Sequence, residues 1–489
     1  MTDPSEPQVQ LAESVSREFL LHHRVCPSEV ADDGVLVVLA APDAHLDALD
    51  ELRVAYGCGV RAELTSTDIL ERSIERLATT RDRSIELSRA DSSTDDFAAD
   101  VRDLANQPPV VRYVNLLVRE AYDAGASDVH LEAARQGLAV RFRLDGVLAP
   151  AVEPPAEMQH AIVSRLKMLA ELDISERRRP QDGRIRVRLD SGELDLRVST
   201  VPTMHGESVV LRLLDRGGRP ITLDELGMPR AILGVMERTC RRSNGLLLAT
   251  GPTGSGKTTT LYAALQSRDR ASEKIVTVED PIEYHLPGIT QVPVQKQGGV
   301  TFSTVLRSLL RQDPDVLMIG EMRDAETAEI AIQAAMTGHF VFSTLHTTDA
   351  IGAITRLVDL GMPPYLIAAT LEAVLAQRLV RRTCDACRVS YEPDLDACAL
   401  IAGQPVGRLS LSRGAGCPAC RGTGFRGRIG VFEYLPLTED VKDAIGSGAS
   451  RSQLRAIADQ RGMRPLRAEA WDKVLSGQTT IEEVQRVVL

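Results

Sequence analysis

The chain has 489 residues, 43% hydrophobic and 26% charged, which is apolar enough for several soluble cores and long enough for three or four domains. A net charge of −11 argues against broad non-specific binding to nucleic acid. The acidic start MTDPSEPQVQL has no apolar signal core, and no run approaches the ~18 apolar residues of a membrane span, so a cytoplasmic protein is expected.

Residues 11 to 80 read as a small α/β unit. GVLVVLAAP predicts a strand, DAHLDALDELRVAYG an amphipathic helix and DILERSIERL another, with no catalytic constellation among them. Residues 88 to 109, SRADSSTDDFAADVRDLANQPP, have the Ser- and Asp-rich composition of a flexible linker. From Val110 the pattern changes. In LAVRFRLDGVL, Leu138, Val140, Phe142 and Leu144 alternate with Ala139, Arg141 and Arg143, and Asp145-Gly146 supplies a hairpin turn. GRIRVRLDSGELDLRVS repeats the scheme, with Ile185, Val187 and Leu189 on one face and Arg184, Arg186 and Arg188 on the other. The stretch MQHAIVSRLKMLAELD between them predicts a helix.

A further domain begins near Leu223. Its strand-like runs GLLLAT, KIVTVED, DVLMIGE and FVFSTLH alternate with helical patterns, the signature of a mainly parallel sheet with crossover helices. A cysteine-bearing segment follows, then a helical tail with helices expected near 440 to 445, 451 to 461 and 465 to 476. There is no internal repeat.

The chemistry starts at the end of GLLLAT. Gly251, Pro252, Thr253, Gly254, Ser255, Gly256, Lys257 and Thr258 match G-x-x-x-x-G-K-[ST], continued by Thr259. Glycines let backbone N–H groups curl toward phosphate oxygens, and the following helix N-terminus adds partial positive charge. Lys257 would reach the β- and γ-phosphates and Thr258 would hold Mg²⁺. Glu279, Asp280 and Glu283 end one predicted strand and Glu321 ends another. Ligand crevices of parallel sheets lie at the carboxyl ends of strands, so these acids can converge on the loop. One carboxylate can then organise Mg²⁺ while the other orients or deprotonates the attacking water. His339 and His346 flank FVFSTL, and both are candidates for sensing the nucleotide.

Of eight cysteines, Cys26, Cys58, Cys240 and Cys398 stand alone and read as small hydrophobes. Cys384-x-x-Cys387 and Cys417-x-x-Cys420 form two knuckles that suit a closed structural Zn²⁺ site. A redox pair is the rival, but redox motifs of this type come singly.

Together VTVEDPIEYHLPGITQVPV, LRSLLRQDPDVLMIGEMRDAETAEIAIQAAMTGHFVFSTLHTTDA, GASDVHLE, RRRPQDGRI and the P-loop resemble the secretion and pilus-assembly ATPases over residues 110 to 435, with the type II secretion branch as the nearer likeness. The resemblance implies an α/β chain organised as a partner-docking domain (1–85), a linker (86–109), a PAS-like α+β domain (110–220), a RecA-like P-loop domain (221–382), a zinc module (383–432) and a helical region (433–489). It implies ATP with Mg²⁺, a structural Zn²⁺ supported by GTGFRGRIGVFE, and a homo-hexamer on the cytoplasmic face of the inner membrane. It also implies two partners, an inner-membrane platform protein and the cytoplasmic domain of a membrane anchor (general secretion pathway proteins F and L), and no nucleic acid. By motif position, Arg184, Arg197, Arg307, Arg311 and Arg323 are expected at the nucleotide phosphates, where a permanent charge and bidentate fork suit the task. The metal module separates secretion and pilus-extension enzymes from retraction enzymes, which generally lack it. A pilus-extension or DNA-uptake ATPase stays open as the alternative machine. Some relatives' first domains bind cyclic di-GMP through R-L-G-type motifs; residues 11 to 80 have none, and that ligand is not expected.

Overall fold

The computed structural model describes residues 20, 22–31, 35–44, 48–56, 58–67, 69–70, 73–74, 86–87, 108–189, 192–215, 221–294 and 300–488. Of the expected linker from 88 to 109, residues 88–107 lie outside these residues, as does most of the expected helix over 68 to 77, whereas Pro108 and Pro109 open the helix Pro108–Asp123. The chain divides into two compact units, one of Met1–Glu120, Ala156–Arg178 and Gly183–Asp190, the other of Ala121–Pro155, Arg179–Asp182 and Ser191–Leu489.

As far as residue 215 the elements are β1 (Val25–Val30), β2 (Leu36–Ala40), α1 (Ala48–Tyr56), β3 (Val60–Leu64), β4 (Glu86–Leu87), α2 (Pro108–Asp123), β5 (Ala126–Ala134), β6 (Gly137–Leu144), β7 (Val147–Pro150), α3 (Gln159–Leu169), β8 (Gln181–Leu189), β9 (Gly192–Thr203) and β10 (Gly206–Asp215). In the first unit β1, β2 and β3 form a three-stranded sheet. The β2/β3 pair is parallel, and α1 makes the crossover that a parallel pair requires. Leu36 and Val38 of β2 join Leu52 of α1 in a small core, so the expected α/β character holds. β8 alternates as its sequence predicts: Ile185 and Val187 are buried, while Arg184, Arg186 and Arg188 are exposed. Its partner is β4, through Glu86↔Arg188 and Leu87↔Val187.

In the second unit β9, β10, β5, β6 and β7 pair antiparallel in that order. Asp145 (φ 48°) and Gly146 (φ 86°) both take the left-handed conformation, as a two-residue turn matched to strand twist demands. Leu138, Val140 and Phe142 are buried, and Arg141 and Arg143 lie on the opposite, half-exposed face.

The rest of the second unit contains α4 (Arg230–Cys240), β11 (Gly245–Thr250), α5 (Lys257–Gln266), β12 (Ile275–Glu279), β13 (Thr290–Pro293), α6 (Phe302–Leu309), β14 (Val316–Ile319), α7 (Ala325–Met336), β15 (Phe340–Leu345), α8 (Ala350–Asp359), α9 (Pro364–Thr370) and β16 (Leu371–Thr383). They are followed by β17 (Arg388–Tyr391), α10 (Leu395–Ala402), β18 (Leu411–Gly414), β19 (Phe425–Pro436), α11 (Glu439–Gly446), α12 (Arg451–Gln460), α13 (Leu466–Leu475) and α14 (Ile481–Val487). The sheet order is β13-β12-β14-β15-β11-β16-β19. All adjacent pairs are parallel except β16/β19. Every residue of β11, β12, β14 and β15 is buried, which is why these strands read as largely apolar runs rather than alternating ones. Helices cover both faces, giving separate cores around Leu246, Val278 and Ile319 and around Leu247, Tyr262 and Phe342.

The C-terminal helices are part of this body. Val441, Leu454, Ala470 and Val484 join the core around Leu246. No helix among the described residues is long and apolar enough to cross a membrane.

Candidate functional site

The loop from Gly251 to Lys257 leaves the buried end of β11 and enters α5. Gly251, Gly254 and Gly256 all have positive φ (151°, 78° and 86°). Two of them are also confined: a Cβ on Gly251 would stand 2.5 Å from the Gln377 carbonyl, and one on Gly256 would stand 3.0 Å from Gln377 Nε2. Pro252, Thr253 and Gly254 form the exposed crest, with Thr258 and Thr259 half-buried behind it. Lys257 Nζ donates to the carbonyls of Gly251 (2.8 Å) and Pro252 (3.0 Å), folded back on its own loop. Burial pushes its pKa down to about 8; Glu321 opposes this and Arg378 adds to it. Gly251→Ala is expected to cost about 1–3 kcal/mol of local strain and to weaken nucleotide binding in parallel. Nucleotide titration and a thermal melt of the variant check this.

Glu321 follows β14 and is only 12% exposed. Arg323 Nε approaches one carboxylate oxygen at 2.6 Å, and His346 Nε2, just past β15, lies 3.7 Å from the other. Burial and Lys257 lower the His346 pKa, so the ring is neutral near pH 7. Lys257, Glu321, Arg323 and His346 thus form one group at the carboxyl ends of β11, β14 and β15. Asp280, Glu321, Arg323, Asp324 and Thr301 line a cleft beside it.

Glu279, at the end of β12, is 2% exposed and already engaged. It accepts from Tyr262 Oη, from Thr277 Oγ1 at 2.5 Å and from Gln291 Nε2 at 3.2 Å. Glu283 is exposed to a different field. Burial raises its pKa, while the guanidinium groups of Arg197 (β9) and Arg212 (β10) pull it back.

Other sequence candidates lie elsewhere. His339 precedes β15, on the order of 20 Å along the strand from His346 at ~3.3 Å per residue. Its Nδ1 meets the Ala334 carbonyl at 3.0 Å and Thr337 Oγ1 at 3.2 Å, closing the end of α7. Within this chain the fold does not bring His339 to the P-loop: it sits at the amino end of a strand whose carboxyl end faces that loop. Arg307, exposed on α6, pairs with Glu326 at 2.9 Å, and Arg311, exposed in the turn after α6, donates to the Arg307 carbonyl at 2.8 Å. Neither reaches the loop within this chain. Arg184 is exposed on β8 of the first unit.

Gln377 and Arg378 on β16 escaped the sequence reading. Gln377 Nε2 donates to the Ser255 carbonyl at 2.6 Å, and Arg378 Nη2 donates to the Thr348 carbonyl at 2.7 Å. They brace the P-loop against the segment after His346. Two adjacent polar residues inside the otherwise apolar run AVLAQRLV were the available signal, since such groups stay buried only when bonded.

Cys384 leaves β16, and Cys417 and Cys420 precede β19. The antiparallel ladder, ending at Thr383↔Phe425, brings these distant positions together. The four sulfurs of Cys384, Cys387, Cys417 and Cys420 all lie within 4.8 Å of one another. Three of the separations are 3.9, 3.8 and 3.7 Å, too long for disulfides. Cys26, Cys240 and Cys398 are buried and Cys58 is half-buried, in keeping with a packing role.

Comparison with known proteins gives this architecture its relatives. A family model described as Type II/IV secretion system protein matches residues 103–486, and an MshEN domain model matches residues 2–84. The chain is 44% identical to the Type II secretion system protein E of Xanthomonas campestris pv. campestris, covering 98% of this chain and 85% of that protein. It is 41% identical to the type IV pilus assembly ATPase PilB of Myxococcus xanthus, covering 96% and 85%. The solved pilus retraction motor PilT with bound ADP is 26% identical, with a TM-score of 0.51 over 76% of this chain and 95% of its own. With the family match running from 103 to 486 and such identities along nearly the whole length, the chain belongs to the Type II/IV secretion system protein family, and it is an ATP-hydrolysing secretion or pilus-assembly ATPase.

Proposed function

We propose that this ATPase is the hexameric engine of a type II secretion machine, coupling ATP hydrolysis to assembly of a pilus-like piston that exports folded proteins. The observation that carries the catalytic part is the grouping of Glu321 with Arg323, His346 and Lys257 at adjoining strand ends. Lys257 swings from its loop carbonyls to the β- and γ-phosphates, and the amides of Gly254 to Thr259 bind phosphate oxygens at the α5 N-terminus. Thr258 and Asp280 suit Mg²⁺ by chemistry, and the ion would neutralise developing phosphate charge. Glu321 orients and deprotonates the attacking water, and neutral His346 reads the γ-phosphate side of the site. Glu279 acts behind them, holding the loop that carries Asp280 and Glu283. Arg197, with Arg184, supplies positive charge from the PAS-like domain (110–220), while Arg307, Arg311 and Arg323 face the nucleotide or a neighbouring subunit.

A tetrahedral Zn²⁺ with ~2.3 Å bonds to thiolates requires sulfur–sulfur edges of about 3.8 Å. Three of the sulfur–sulfur separations match that edge and all lie within 4.8 Å, which supports a structural zinc that pins the ends of β16 and β19. The zinc module (383–432) supports assembly over retraction. The remaining organisation follows the resemblance. Residues 1–85 dock on the cytoplasmic domain of a membrane anchor, 86–109 link, 221–382 hydrolyse ATP, 433–489 complete the core, and the ring works on a platform protein at the inner membrane without nucleic acid. The Myxococcus relative keeps a pilus-assembly reading alive. Affinity capture from native membranes with Glu321→Gln as bait in Mg-ATP separates the two. Recovery of a secretion platform and its anchor supports the first, and recovery of a pilus platform with pilins transfers the engine to the second.

The lysine also sets a pH dependence. Lys257 is charged below about pH 8 in the free protein. Bound phosphates raise its pKa, so above that value binding must take up a proton. Nucleotide affinity should be level below roughly pH 7 and fall by up to about tenfold per unit above pH 8. Titration calorimetry across this window tests it; affinity that rises with pH would contradict the role given to Lys257.

A further inference from the structure

We propose that Arg455, on α12 of the C-terminal helical region, is a positioning residue for ATP turnover that holds the segment carrying His346. The proposal rests on the reading of His346 given above. After His346 the chain is tied first toward the P-loop. Thr347 N donates to Thr250 Oγ1 at 3.0 Å, and Thr348 O accepts from Arg378 at 2.7 Å. It is then tied from the opposite side. Asp349 Oδ1 caps α8 by accepting from Gly352 N at 2.7 Å, and Ala350 N donates to Glu433 Oε1 at 2.8 Å.

Arg455 reaches both of these carboxylates. Its Nη2 lies 2.8 Å from Asp349 Oδ2 and its Nη1 lies 3.4 Å from Glu433 Oε2. The Glu433 side chain is 2% exposed and that of Asp349 17%. Removing the arginine leaves a carboxylate out of water with its charge under-compensated, a situation proteins relieve by moving. The cheapest movement lets water in at the α8 N-terminus, which displaces the residues between β15 and α8. His346 stands 3.7 Å from Glu321, at the outer edge of a useful contact, so an ångström of drift disconnects it. None of the hydrogen bonds that shape the loop around Lys257 comes from Arg455. Its loss should therefore lower turnover and spare nucleotide binding. Arg451 provides a control within the same helix. It also meets Asp349 Oδ2 at 2.8 Å, but its side chain is 57% exposed, and its charge bridges this carboxylate alone.

The test is phosphate-release kinetics and nucleotide affinity on the full chain for Arg455→Ala, Arg451→Ala, His346→Ala and the Arg455→Ala/His346→Ala pair. Arg455→Ala should lower kcat by about tenfold with nucleotide Kd within about twofold, Arg451→Ala should stay within about twofold in both, and Arg455→Ala should add nothing in the His346→Ala background. Arg455→Lys, which keeps the charge but loses the fork, should recover part of the rate. A wild-type kcat in Arg455→Ala, a parallel loss of nucleotide affinity, or multiplicative effects in the pair would each overturn the proposal. A normal rate in His346→Ala alone would instead overturn the reading of His346. If Arg455→Ala does not fold, Arg455→Lys takes its place in the cycle; if neither folds, Arg455 is a structural residue and the proposal falls.

Discussion

Glu321→Gln should lower ATP turnover by roughly two to four orders of magnitude while nucleotide stays bound. The substitution preserves shape and one acceptor oxygen for Arg323, so the strand end keeps its geometry. What it removes is the negative charge and the ability to take a proton from water, the functions needed as the γ-phosphoryl group departs. Glu279→Gln should behave differently. Its carboxylate is enclosed by Tyr262, Thr277 and Gln291, and an amide there turns a donor against other donors. A buried mismatch of that kind costs about 1–3 kcal/mol, so the melting temperature should fall along with a smaller loss of rate. Phosphate release at saturating Mg-ATP, a fluorescent-nucleotide titration and a melt on both variants decide the assignment. A larger rate loss at Glu279 than at Glu321, with the fold intact, would exchange the two roles.

The second large effect concerns the cysteines. The purified chain should carry one zinc per subunit, and Cys420→Ser should remove it. Cys420 is anchored within the cluster, since the amides of Cys417 and Gly424 both donate to its sulfur at 3.2 Å. Structural zinc contributes apparent binding energies of about 10–16 kcal/mol in small modules, so β17, α10 and β18 should lose their order without it. The damage should spread along the β16/β19 ladder from its Thr383↔Phe425 end and stop before the Leu375↔Tyr434 region, which the main core holds. Nucleotide binding should therefore survive while the melt broadens. Metal analysis with a thermal melt, before and after chelation, measures this; a metal-free chain with an unchanged melt would remove zinc from the structure.

Much of the site was legible in the sequence because its signals are short. Four short, largely apolar runs marked β11, β12, β14 and β15, the first three closed by Gly251, Glu279 and Gly320 and the last by His346. Gly251 to Gly256 is a local loop whose glycines are required by positive φ, and Asp145-Gly146 marks its own hairpin. Each of these depends on turn chemistry or periodicity within a few residues.

What only the tertiary structure decided depends on which strand ends share an edge of the sheet. His339 and His346 both flank FVFSTL and the carboxyl-end position already favoured His346, but only the fold puts His339 under α7 and His346 beside Glu321. Gln377 and Arg378 acquire meaning only because β16 lies next to β11. Arg455 lies in a helix that the sequence predicts, but its partners Asp349 and Glu433 are set only when α12 packs against the start of α8. The two cysteine knuckles meet because β19 returns antiparallel along β16 after the intervening module. Local rules set where elements begin and end, whereas burial of the apolar faces over the whole core selects their neighbours, and that selection assembles the site.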